Sequence, residues 1–386
     1  MKGLLVTETL AKTASPVDVS EVEHRFYYQL IVGKQKQEDM LDGMDADVEA
    51  DAFKLDIERE AVFDRLEKKK EARRVFEDVS GQLVYTLIQS IMFRLDDPLE
   101  ILKHAGLTSK QLSLMELLQG DNAELPKLRP YIEKMDWLSK ELVNMVNSPS
   151  FRHRKPQRAS DIRVKDLKLV LNFIGIENLQ VLVPYLCIRT WLPTGRANML
   201  WTTRKLWRYM LVTATASQIL AKEEGIDGAF VYTCSLLSQL GTSAILSNSS
   251  MIFDGIWGHW LREANQSRDK EIYDAVIATE FPAEAVYQQV LDRAMSLNWE
   301  LLSLLEFEES QFTQVLKELA ETHTYAGLSP QAAVIARASC FAKVMLLKEM
   351  RQISDEEKHA MYQQYELSTA ELALLNQQNF RKLEIM

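Results

Sequence analysis

Apolar residues recur at helical spacing along most of this chain, and few residues interrupt the pattern. The 386 residues include only 14 glycines and 10 prolines, the two residue types that most disfavour a helix interior. Leu83, Leu87 and Ile91 illustrate the spacing, because residues four apart lie on one face of a helix. No repeat of 20–50 residues and no strand-rich block is visible. The sequence therefore predicts an all-α fold.

Residues 138–151 contain the most specific local signal. Leu138, Leu142 and Val146 form the apolar stripe of a helix, which runs into the polar corner Asn147–Pro149. Pro149 has no backbone N–H, and Asn and Ser side chains compete for backbone hydrogen bonds. We therefore expect the helix to end at this corner. Phe151 then returns an apolar ring to a polar loop.

Two further helices are expected after the corner. The first should begin near Asp161 or Asp166 and end at Gly175, and the second should follow at once. Pro184 should kink or restart that second helix. Further along, residues 230–246 are apolar enough to predict one buried helix that contains Gly241.

In this order the segments resemble the HDOD family, bacterial signalling relatives of the HD phosphohydrolases. The family pattern is a Leu-rich helix that runs into a V-N-S-A/P-x-F/Y corner, followed by a helix that ends in glycine. The corner here begins at Val146, and the positions to which the resemblance assigns structural roles are Asn147, Ser148, Pro149, Phe151, Gly175 and Gly241. The resemblance extends from about residue 125 to about residue 306.

The resemblance implies an HD-domain-like helical bundle with extra helices at both ends. We expect an acidic, helical N-terminal appendage of unknown role over residues 1–99 and an HDOD-like domain over residues 100–306. A C-terminal helical extension over residues 307–386 should pack on that domain.

The metal ligands of the HD phosphohydrolases have no counterpart at the matching positions. Those enzymes hold a metal through an adjacent His-Asp pair, and the resemblance places Ser238 and Gln239 at these two positions. Tyr209 stands at an earlier ligand position. None of the six histidines precedes an aspartate, and a hydroxyl and an amide are poor ligands for a divalent ion. We therefore expect no catalytic residue, no metal and no cofactor.

Other catalytic motifs are absent from the sequence. It contains no G-x-x-x-x-G-K-S/T or G-x-G-x-x-G loop, no G-x-S-x-G elbow and no H-E-x-x-H helix. Cys187, Cys234 and Cys340 are far apart in apolar surroundings, which favours buried, reduced thiols.

Charge is distributed unevenly along the chain. The net charge is −10, yet residues 151–210 contain twelve Lys or Arg against three Asp or Glu. These charges either decorate solvated helices or form a surface for an acidic partner, such as a small acidic ligand, a phosphorylated protein or the chain's own acidic segment 36–60. The residues proposed for such a surface are Arg152, Arg154, Lys155, Arg158 and Arg163.

The sequence favours a non-catalytic, cytoplasmic, bacterial signalling protein that binds a protein partner or a small ligand. One alternative is a divergent metal-dependent phosphohydrolase or phosphodiesterase, and another is a nucleic-acid-binding regulator that uses residues 151–210, which the net charge disfavours. The N-terminal apolar run is too short for a signal peptide, and no uninterrupted apolar run approaches the ~20 residues that span a bilayer. We expect no membrane association, and the sequence is compatible with a homodimer.

Overall fold

Helices form every regular element in the part of the chain that the structure describes. The computed structural model describes residues 17–33, 56–106, 108–120, 123–149, 151, 164–193, 197–322 and 324–380. The predicted all-α class is confirmed. In chain order the α-helices are α1 (Val19–Ile31), α2 (Asp56–Asp96), α3 (Pro98–Ala105), α4 (Ser109–Gln119), α5 (Leu125–Glu133), α6 (Asp136–Val146), α7 (Leu167–Ile174), α8 (Ile176–Arg189), α9 (Ala197–Glu224), α10 (Gly228–Leu237), α11 (Leu240–Ser267), α12 (Lys270–Ala278), α13 (Ala283–Leu304), α14 (Gln311–Glu321), α15 (Pro330–Glu349), α16 (Asp355–Gln364) and α17 (Thr369–Asn376).

The corner after α6 is held together by Asn147. Its side-chain nitrogen donates to the carbonyls of Val143 (2.7 Å) and Val164 (2.8 Å), and its side-chain oxygen accepts from the Val164 backbone N–H (2.9 Å). Ser148 donates to the Met145 carbonyl (2.7 Å). Helix α6 therefore ends at Val146, as predicted, and the corner is tied to the chain that enters α7.

The start and end of α7 also follow local signals. Asp166 accepts a hydrogen bond from the Lys168 backbone N–H (2.8 Å) and so caps the helix. Gly175, with φ of +80°, ends α7 and begins the turn into α8. This left-handed conformation favours glycine.

The structure corrects two sequence-based predictions of helix geometry. Of the kink or the restart predicted at Pro184, the restart does not occur, because α8 continues through this residue to Arg189 with buried side chains on both sides. The single helix predicted over residues 230–246 is two helices, α10 and α11, separated by Ser238 and Gln239. Apolar residues continue across this break because both helices are buried, so hydrophobicity gave no sign of it.

The core is built around α9, α10 and α15, with α11 packed on α13 beside them. Helix α1 joins the same core through four buried side chains: Val22, Phe26, Leu30 and Ile31. Lys205 donates to the Gln29 carbonyl near the end of α1 (2.8 Å). The N-terminal helix is thus packed into the body of the protein.

Among the residues that the structure describes, two helical segments are long and apolar enough to cross a bilayer by length and composition alone, Gly228–Ser267 and Pro330–Glu349. The sharply bent pair α7 and α8 would make a third if it were counted as one span. The expectation from uninterrupted apolar runs missed these segments, because Ser, Thr and Gly interrupt the first and Arg337, Ser339 and Lys343 interrupt the second. In the first segment 94% of the most apolar 18-residue stretch is buried inside the protein, and in the second 67% is buried. Packing into the core therefore accounts for the composition of both segments.

Candidate functional site

A cavity of about 350 Å³ lies where α1, α9, α13 and α15 meet the break between α10 and α11. Tyr209 reaches it from α9, and Ser238 and Gln239 reach it from the break. The structure thus brings together the three positions that the sequence matched to lost metal ligands.

The break between α10 and α11 is fixed by one side chain of α13. Asn298 donates to the Ser238 carbonyl (2.8 Å) and accepts from the Gly241 backbone N–H (2.7 Å). Gly241 has no room for a side chain, because an added Cβ would lie 2.0 Å from the Ala294 carbonyl oxygen. This close contact explains the glycine, and Asn298 is a positioning residue that sequence reasoning missed.

The three matched side chains differ in how their polar atoms are used. Ser238 donates its hydroxyl to the Ser235 carbonyl (2.8 Å), and Tyr209 shares a hydrogen bond with Ser339 (2.7 Å). Gln239 accepts from the Thr242 hydroxyl (3.1 Å), while its amide nitrogen has no hydrogen-bond partner among the described residues. Since Gln239 is only 5% exposed and lines the cavity, this nitrogen is available to a ligand there.

A buried ion pair occupies the same cavity. The Lys343 ammonium of α15 lies 2.6 Å from a carboxylate oxygen of Glu23 on α1, and the Tyr365 hydroxyl donates to the same oxygen at 2.8 Å. The Tyr27 ring faces the ammonium, with its centre 5.5 Å from Nζ. The lysine side chain is 9% exposed and that of Glu23 is 23% exposed, so the carboxylate lies nearer to solvent.

Both members of this pair are charged at neutral pH. Burial, the largest single effect, would lower the pKa of Lys343, but the Glu23 carboxylate and the neighbouring tyrosines together outweigh it and raise that pKa well above 10.5. Burial, the largest single effect, would raise the pKa of Glu23, but the charge and hydrogen bond of Lys343, together with the hydrogen bond from Tyr365 and the charge of His24, hold that pKa below 4.5. Burial also raises the pKa of Tyr209, so its phenol stays protonated.

The residues of the cavity do not fit a divalent metal ion. Such ions are held by carboxylate, imidazole or thiolate groups, and the described lining offers Glu23 and His24. Glu23 already pairs with Lys343, whose positive charge would repel a second cation. Across the described ranges no group of three or more His, Cys, Asp or Glu is placed to hold a metal.

Some predicted residues lie elsewhere. The basic residues Arg152, Arg154, Lys155, Arg158 and Arg163 lie outside the described residues, as do residues 36–55 of the acidic segment. Cys187, Cys234 and Cys340 are free and buried, as predicted. Burial raises the pKa of Cys187 to about 12, so this thiol is not activated.

Sequence reasoning missed the residues that give the cavity its charge. Glu23 and Tyr365 lie in segments outside the family resemblance and carry no local signal. Lys343 does carry one, since it interrupts the apolar run Ala338–Leu347 and is buried. A lone lysine on a buried helix face predicts a buried anionic partner.

Comparison with known proteins identifies one domain. The HDOD domain model matches residues 106–278. No curated protein matches the chain at a significant level. A solved structure, "Putative metal-dependent phosphohydrolase from Shewanella amazonensis SB2B", is 13% identical, and the match covers 74% of this chain and 99% of that chain with a TM-score of 0.40. So remote a similarity carries no argument about function.

Proposed function

Residues 106–278 form an HDOD domain, and on this premise we propose that the protein is a non-catalytic regulator in bacterial signalling whose cavity binds a small ligand. We also propose that it acts in the cytoplasm through a protein partner. The domain supports the signalling role by resemblance. The residues of the cavity support binding without catalysis.

The observation that carries this proposal is the Lys343 ammonium in the same cavity that Tyr209, Ser238 and Gln239 line. Metal-dependent hydrolysis needs a bound ion to polarise the substrate and to activate water. Here the cavity already contains a positive charge and its counter-ion, and its other polar side chains are hydroxyls, the amides of Gln239 and Gln364 and the single imidazole of His24. These groups suit the hydrogen bonding of a ligand better than the coordination of an ion.

The size and lining of the cavity also support a binding role. Ligand sites commonly have volumes of ~300–1,000 Å³ and combine apolar walls with a few placed polar groups. This cavity, at about 350 Å³, combines Leu291, Leu319 and Ile335 with the amide of Gln239 and the ammonium of Lys343.

Metal content and hydrolysis together test the proposal. We expect the full-length chain, purified without chelators, to contain far less than one equivalent of Fe, Mn, Zn or Mg by elemental analysis. We also expect no hydrolysis of bis(p-nitrophenyl) phosphate above the buffer rate, with or without added Mn²⁺. Stoichiometric metal with turnover would instead establish the divergent phosphohydrolase.

Affinity capture from the native cell tests the proposed partner. Capture should be compared between the wild-type chain and a variant with a filled cavity, Ala294→Leu, because a ligand-controlled interaction depends on the cavity. Equal capture of the same proteins by both chains would contradict control by the cavity.

A further inference from the structure

We propose that Lys343 and Tyr365 form a recognition site for the carboxylate group of a small ligand, and that Glu23 fills this site when the ligand is absent. The inference rests on the proposed function, because it assigns a ligand class to the same cavity. It adds that the protein carries its own competitor for that ligand.

The contacts of Glu23 are those of a bound carboxylate. One of its oxygens accepts from the Lys343 ammonium (2.6 Å) and from the Tyr365 hydroxyl (2.8 Å). Charge-assisted hydrogen bonds of this kind are stronger than neutral ones. Because both donors come from the C-terminal helical region and the acceptor comes from α1, the carboxylate group is supplied from a separate part of the chain.

Glu23 can leave the site without displacement of α1. Phe26 packs against Tyr209 with ring centres 4.7 Å apart, Arg25 pairs with Glu357 at 2.9 Å, and Tyr287 donates to the His24 carbonyl at 3.2 Å. These contacts hold the helix independently of Glu23. The Glu23 side chain is already 23% exposed, so the proposal requires a change of its rotamer and no movement of the helix.

Charge balance decides the class of ligand. Departure of Glu23 leaves the Lys343 ammonium buried and unpaired, which is costly. An uncharged ligand leaves the charge of the Lys343 ammonium unneutralised, whereas the carboxylate of a ligand replaces the lost carboxylate of Glu23. The cavity therefore selects a monoanion at this end.

The rest of the cavity defines the remainder of the ligand. A volume of about 350 Å³ corresponds to roughly a dozen water-sized groups. The free amide nitrogen of Gln239 would donate to an oxygen of the ligand, and the hydroxyls of Tyr209 and Ser339 lie in the same lining. We therefore assign a small carboxylic acid that also bears a hydroxyl or carbonyl group.

Acetate titration of the full-length chain tests the assignment, with thermal unfolding as the readout and sodium chloride at equal ionic strength as the reference. Glu23→Ala removes the internal competitor. We expect its apparent acetate dissociation constant to be at least about tenfold lower than that of the wild type, because a tethered competitor acts at a high effective concentration. Should Glu23→Ala fail to fold, Glu23→Gln gives the same test, because an amide is a poor counter-ion for the ammonium.

Two control variants locate the effect. Glu284 also accepts from a tyrosine, Tyr28, at 3.0 Å, but it is exposed and lies outside this cavity, so Glu284→Ala should leave the acetate affinity unchanged. The double variant Glu23→Ala/Lys343→Met should lose the tighter binding, because the ammonium that recognises acetate is gone.

Three results would overturn the inference. These are equal acetate affinity in the wild type and in Glu23→Ala, retention of the tighter binding in the double variant, or tighter binding of inorganic phosphate than of acetate by Glu23→Ala. Because no metal and no substrate enter these titrations, their failure is independent of the metal and hydrolysis measurements above.

Discussion

At the scale of single residues, the charges of the cavity depend on a pair of side chains separated by 320 positions in the sequence. Lys343 could be suspected from the sequence, because it lies within an apolar helical run. Glu23 could not, because one acid on a short amphipathic helix is indistinguishable from a solvated surface charge. A pairing between distant segments is set by the packing of α1 on α15, which local patterns do not encode.

The pKa values of this pair predict how stability depends on pH. Because the pKa of Glu23 is lowered in the folded protein, its contribution is present above its ordinary value of 4.5 and is lost as the pH falls through the lowered pKa. Because the pKa of Lys343 is raised, its contribution is present below 10.5 and is lost as the pH rises through the raised pKa. The pair therefore stabilises the protein most between these two values.

We expect Glu23→Gln to lower the free energy of unfolding at pH 7 by roughly 2–3 kcal/mol, less than the ~3–5 kcal/mol for a fully buried pair because Glu23 is partly exposed. The difference from the wild type should shrink below pH 4.5. Urea unfolding over a pH series measures both effects. Glu133→Gln, which breaks an exposed pair with Arg129, should change stability little. A pH-independent loss in Glu23→Gln would contradict the assigned charges.

At the scale of elements, the sequence predicted the ends of helices better than it predicted a break within an apolar segment. The end of α6 just before Asn147, the cap of α7 at Asp166 and the end of α7 at Gly175 follow from the residue types at each terminus. The break at Ser238 and Gln239 does not, because it is held by Asn298 from a helix that follows some 60 residues later. The cavity lies at this break. The break was the hardest feature of the backbone to predict, and it is also the feature that places Ser238 and Gln239 in the cavity lining.

Gly241 gives a sharp test of the packing of α11 against α13. Gly241→Ala should cost about 2–3 kcal/mol of unfolding free energy, because its Cβ would meet the Ala294 carbonyl oxygen at 2.0 Å. Gly255→Ala on the same helix has no atom within 4 Å of the new Cβ and should stabilise by ~0.5–1 kcal/mol, as alanine favours a helix. Chemical unfolding of both variants makes the comparison. Equal effects would show that the two helices are not in close contact there.

At the scale of the whole molecule, the all-α class and the HDOD region were predictable because helical periodicity and the corner motif are both local. The contribution of α1 to the cavity was not, because residues 34–55 separate it from α2 and no motif links it to the domain. The predicted boundaries at residues 99 and 306 stay a prediction. The cavity itself draws on residues from both sides of each boundary.

Removal of residues 1–33 should therefore destabilise the whole protein. Burial of each large apolar side chain contributes about 1.5–3 kcal/mol, and α1 buries Val22, Phe26, Leu30 and Ile31. Their summed loss, roughly 6–12 kcal/mol, is comparable to the ~5–15 kcal/mol by which native proteins are stable. Circular dichroism during heating should show a lost or strongly lowered transition. Removal of residues 1–16 leaves α1 intact and is the control; an unchanged transition in the longer deletion would contradict the role of α1.

The position of Glu23 and Lys343 outside residues 106–278 has a consequence for tracing this protein's history. Two homologues can be identical throughout residues 106–278, with Ser238 and Gln239 included. They can still differ in whether they have both Glu23 and Lys343, whose charges neutralise each other. A survey of orthologues should therefore follow these two flanking sites as a covarying pair. Lineages that have lost only one member of the pair would show where in evolution the ligand of the cavity changed.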